Sequence, residues 1–133
     1  MRTKIILFIL LFSGITFAFI SMNTFQISTG PHGGNIQQAG NFNIEMKVSH
    51  PDFYAYLLNK QCRPISNKGV SGEIRFFFRD STSLDIPLKP YEEDGFRMES
   101  SVSDYYSYRV TFHAFGKFIS AKFDNENVIA QKK

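Results

Sequence analysis

The chain reads as an all-β protein, an immunoglobulin-like antiparallel β-sandwich of seven or eight strands behind an N-terminal signal peptide. Three observations predict it. Short runs alternate apolar and polar residues, turn-forming residues separate those runs at even spacing, and no helical period appears after the first apolar stretch. A small open barrel is the competing way to close the same strands.

The first segment has the build of a targeting signal: Arg2 and Lys4, the unbroken apolar run from Ile5 to Phe12, then Thr16, Phe17 and Ala18. Cleavage is expected after Ala18. An uncleaved anchor over 5–20 is the rival, but Ser13, Gly14 and Thr16 interrupt it, and a bilayer needs about 20 apolar residues. The expected organisation is a signal peptide over 1–18, a flexible arm over 19–29, a β-sandwich over 30–124 and a polar tail over 125–133. Hydrophobic residues make up 43% of the chain and aromatic ones 16%, enough for one folded core.

Within the domain, Gly30-Pro31-His32-Gly33-Gly34 forms a stiff corner, because Pro31 fixes its own φ and the glycines accept positive φ. It leads to a strand with Phe42, Ile44, Met46 and Val48 inward and Asn43, Glu45 and Lys47 outward. Ser49 to Asp52, containing Pro51, makes a tight turn, and Phe53 to Leu58 pairs back antiparallel with Tyr54 and Tyr56 on the outer side. Asn59 to Lys68, with Pro64, Asn67 and the following Gly69, has loop composition. Val70 to Phe78 is the clearest strand, with Ile74, Phe76 and Phe78 inward and only Phe77 out of phase, and it forms a hairpin with Leu84 to Leu88, whose Leu84, Ile86 and Leu88 point inward.

Lys89 to Gly95 carries Pro90 and the acidic triplet Glu92, Glu93, Asp94, the composition of a solvated turn. A short strand with Phe96 and Met98 follows. The next places Tyr106, Tyr108, Val110, Phe112 and Ala114 inward, and after a turn at Phe115-Gly116-Lys117 the last runs from Phe118 to Phe123 with Ile119, Ala121 and Phe123 inward.

Charge and cysteine content exclude several classes. Losing Arg2 and Lys4 from 15 basic residues leaves 13 against 12 acidic ones, so the processed domain is nearly neutral and has no Lys/Arg stripe for nucleic acid. The single cysteine, Cys62, permits no internal disulfide, and the absence of an Asn-x-Ser/Thr acceptor site fits a periplasmic or secreted bacterial protein. A membrane is expected as partner only through an uncleaved N-terminal segment. No nucleophile elbow, zinc-protease pair or phosphate loop is present, so the domain is read as non-catalytic.

Metal ligation is the remaining chemistry. His32, Glu45, Met46, His50, Cys62, Met98 and His113 include ligands that suit copper or zinc. Parity sends Met46 and Met98 into the core and leaves His113 as a surface residue. His32 with Glu45 is then the most plausible local metal pair, two ligands where zinc usually takes four.

The segment Pro31, His32, Gly33, Gly34, then Gly40, Ile44 and Glu45, followed by Tyr54, Ala55, Tyr56 and Leu57, resembles a pattern in small exported bacterial His-Gly-Gly β-domains associated with heavy-metal efflux, a related segment of which occurs in periplasmic adaptor proteins. The resemblance covers about the first third of the expected domain, which lacks a Met-rich or multi-His cluster. It implies a domain that binds a heavy-metal ion such as copper, or docks on an efflux or envelope protein. The other function class is a structural or adhesive module that recognises a protein or glycan without metal.

Overall fold

In the computed structural model, which describes residues 29–99 and 101–125, the alternating runs pair into nine strands. The signal peptide expected over 1–18, nearly all of the expected arm and the tail from 126 onward lie outside the described residues. The strands are β1 (Asn35–Ala39), β2 (Phe42–Ser49), β3 (Asp52–Leu58), β4 (Ser71–Phe78), β5 (Ser83–Pro87), β6 (Lys89–Tyr91), β7 (Gly95–Met98), β8 (Tyr105–Ala114) and β9 (Lys117–Asp124). No helix occurs among the described residues.

Two antiparallel sheets result, one in the order β1-β2-β3-β7-β6 and the other β5-β4-β8-β9, the layers of a β-sandwich. The hairpins β2–β3, β4–β5 and β8–β9 are as the alternation predicts. The count exceeds the expected seven or eight because two short edge strands were legible only as loop. β1 has no apolar period, and β6, inside the stretch read as a solvated turn, is held by pairing with β7.

The core is aromatic. Phe53, Phe76, Phe96 and Phe112 are fully buried between the sheets with Ile44, Met46, Ile74, Met98 and Val110, so both methionines fill space as parity requires. Phe53, Phe76, Tyr105 and Tyr108 make edge-to-face and tilted contacts with centroids 4.9 to 6.0 Å apart.

Five of these side chains depart from the expected exposure. Tyr106 is exposed, because the β4–β8 register shifts between Phe77 and Phe78, bringing Tyr105 and Ser107 into the ladder and turning Tyr106 outward. Leu84 lies on edge strand β5 and is exposed, and Val48 is exposed at the far end of β2. The remaining two, Glu45 and Tyr56, were expected on the outer side and are buried there rather than solvated. The outer side of β2 is covered there by the Gly30–Gly34 corner, which folds back over it.

Candidate functional site

Residues Gly30 to Gly34 close on themselves, the Gly30 N–H donating to the Gly34 carbonyl at 2.8 Å and the Gly33 N–H to the Gly30 carbonyl at 3.0 Å. The loop wraps the Glu45 carboxylate. Oε2 accepts the backbone N–H groups of His32 at 2.9 Å and Gly34 at 2.8 Å, and Oε1 lies 2.7 Å from His32 Nδ1. A buried carboxylate without such donors would cost several kcal/mol, on the order of ~3 or more. Two of the glycines are required by the fit. A Cβ on Gly30 would stand 2.3 Å from Glu45 Cδ, and one on Gly34 2.4 Å from the Met46 carbonyl oxygen.

The imidazole is equally committed. His32 Nε2 lies 3.1 Å from Asp94 Oδ2, so each ring nitrogen faces a different carboxylate. The ring stacks on Tyr56 with centroids 3.6 Å apart and planes 7° from parallel. Tyr56 stands opposite Glu45 on β3 and opposite Gly95 on β7. A Cβ on Gly95 would come within 2.7 Å of the Tyr56 ring, so glycine makes room for the floor on which His32 rests. Burial first, and then the negative charges of Asp94 and Glu45, push the Tyr56 phenol up to about 12.

The expected pair, His32 with Glu45, is thus brought together, but in a direct hydrogen bond. As placed, it leaves neither ring nitrogen open to an ion, and no group of three or more His, Cys, Asp or Glu side chains among the described residues is arranged to hold a metal. His113 is a surface residue as expected, stacked on Phe118. Cys62 is half-buried in the loop after β3. Sequence reasoning missed Asp94, which is 62 residues from its partner, and Tyr56, whose role depends on the strand pairing.

The second unusual region lies at one end of the sandwich, where the β8–β9 turn meets the start of β2. Ala114 pairs with Lys117, so the turn has two central residues, Phe115 at φ 55° and Gly116 at φ 69°. Positive φ at both is the signature of a type I′ turn, which normally takes Asn-Gly or Gly-Gly. Phenylalanine there is strained by about 1 to 3 kcal/mol. Its ring is nonetheless 64% exposed, and Phe118 is 78% exposed. The Phe115 ring stacks on the half-buried Phe42 with centroids 5.9 Å apart.

Three segments that meet at this end, residues 38–43, 59–63 and 113–118, carry no carboxylate, but Glu73 lines the same surface hollow as His113 and Phe118, and the Glu92–Asp94 turn, which precedes Gly95 opposite Tyr56, opens at this end as well. The Asn43 side chain donates to the Asn59 carbonyl at 3.1 Å, which brings the second segment beside the first. The same segments display Lys60, Arg63 and Lys117, all exposed and without an ion-pair partner among the described residues. The Phe-Gly dipeptide, where Asn-Gly is usual, was the sequence signal for this site.

Comparison of the chain with protein-family models, curated proteins and solved structures found no match.

Proposed function

We propose that this chain is a non-catalytic, exported β-sandwich that docks on a partner through the end bearing Phe115 and Phe118. One observation carries the reading: a bulky ring is held exposed at a positive-φ position where asparagine or glycine would be easier for the fold. Backbone strain and exposed apolar area both oppose folding alone, and both are explained by a surface that covers the rings. Export rests on the targeting features of residues 1–18.

Docking without a resident metal is favoured over ion binding because His32 and Glu45 spend their polar atoms on each other, on the corner backbone and on Asp94. A photoreactive benzoylphenylalanine at position 118, in intact cells making the full chain, tests the reading. Adducts are expected at 118, absent with the same group at 106 at the opposite end of β8, and reduced by Phe115→Asn. Equal labelling at both positions, or none, would refute it.

A further inference from the structure

We infer that the C-terminal segment, residues 126–133, closes the open end of the seam between the two sheets by laying Val128, Ile129 and Ala130 between β2 and β9. The inference stands apart from the docking reading and concerns the far end of the sandwich. It starts from Val48. That residue pairs with Phe53, which is fully buried, so Val48 belongs to the inner face with Ile44 and Met46. It is nonetheless 39% exposed, a core position with nothing of the other sheet over it. Beside it lies a hollow of about 400 Å³, floored by Met46, Tyr105 and Tyr108 and bordered by Asp124 and Asn125. Hollows of about 300 to 1,000 Å³ are large enough to bury a ligand.

Strand edges from both sheets open into this space. The register of β1 with β2 ends at Asn35 opposite Met46, so no residue of β1 stands opposite Val48. The Met46 carbonyl points to that side, against Gly34. Alternate residues of a strand turn their N–H and C=O the same way, so those of Val48 face the hollow. On the facing edge, the Asn125 N–H donates to the Tyr106 carbonyl. Asp124, one residue earlier on edge strand β9, therefore turns its N–H and C=O away from β8 and into the hollow. An apolar floor between two open strand edges fits an extended segment with β-branched side chains.

The chain supplies such a segment at the rim itself. The described residues end at Asn125, which borders the hollow, and eight more follow. Among those eight, Val128 to Ala130 is the one apolar run. Val128 is three residues past the rim, within about 10 Å of it even on a fully extended chain. A segment tethered so closely stands at a local concentration on the order of mM, so modest burial is enough to hold it.

Paired cysteines in the full-length protein with Cys62→Ser test the placement. Val48→Cys with Ile129→Cys should form an intramolecular disulfide under mild oxidation at least about tenfold faster than Val48→Cys with Lys132→Cys, because a segment held in register presents one position and a free one presents both alike. With Val48→Cys alone, maleimide labelling should be slow, and adding Val128→Asp and Ile129→Asp, which lie outside the nine strands, should speed it by a similar factor. Equal coupling at 129 and 132, or labelling indifferent to the two aspartates, would overturn the inference. So would a disulfide between two chains, which gives the hollow to a second copy, or faster coupling of position 48 to Ile27→Cys, which gives it to the N-terminal arm. The position 118 cross-link reads the other end of the molecule, so the docking reading stands or falls separately.

Discussion

The corner over Glu45 and the hairpin end at Phe115 exchange the roles their residue types suggest. At the corner, a carboxylate, an imidazole and a phenol, the usual material of a reactive site, are stacked and hydrogen-bonded into a clasp that fixes the N-terminal corner on the sheet. At the hairpin end, phenylalanines, the usual material of a core, are held in water. The difference teaches that composition marks neither site. What separates them is whether polar groups are satisfied locally and whether apolar groups are covered.

The comparison breaks most sharply at Glu45. Glu45→Ala strands two backbone donors and the His32 ring in a covered site, and should lower stability by about 3 to 5 kcal/mol, read as a lower urea midpoint. An unchanged midpoint would mean that the clasp holds nothing. Gly34→Ala drives a Cβ against the Met46 carbonyl and should cost about 2 to 3 kcal/mol, visible in the same melts.

A pH test follows from Tyr56. Its phenol ionises near 10 in the unfolded chain and about 12 in the folded one, so between those values the folded state holds more protons and stability falls as pH rises. Below pH 10 this group contributes no slope. Denaturant midpoints should therefore drop between pH 10 and 12 in the parent and drop less in Tyr56→Phe. Parallel curves for the two proteins would remove Tyr56 from the buried floor.

Much of the fold was legible because burial in a sandwich imposes a period of two, and the runs around Ile74, Val110 and Ala121 obey it. Tyr106 was misread because a bulge adds one residue and reverses parity beyond it, which the period alone cannot reveal. Glu45 was assigned to the correct face of β2, but a strand pattern does not say which part of a face another segment will cover. β1 and β6 escaped because their strand state comes from hydrogen bonds to a neighbour rather than from their own side chains. The pairing of His32 with Glu45 was readable from the corner and the strand that follows it. The third partner, Asp94, needed the β3–β7 register to bring its turn across.

The most direct measurement is the thermal midpoint of Phe115→Asn beside the parent. Asparagine accepts positive φ more readily than phenylalanine and gives up only an exposed stack on Phe42, so the variant should melt at or above the parent temperature while losing adducts at position 118. A fall of about 4 °C or more, equivalent to about 1 kcal/mol in a domain of this size, would show that Phe115 anchors the fold and is not displayed for a partner.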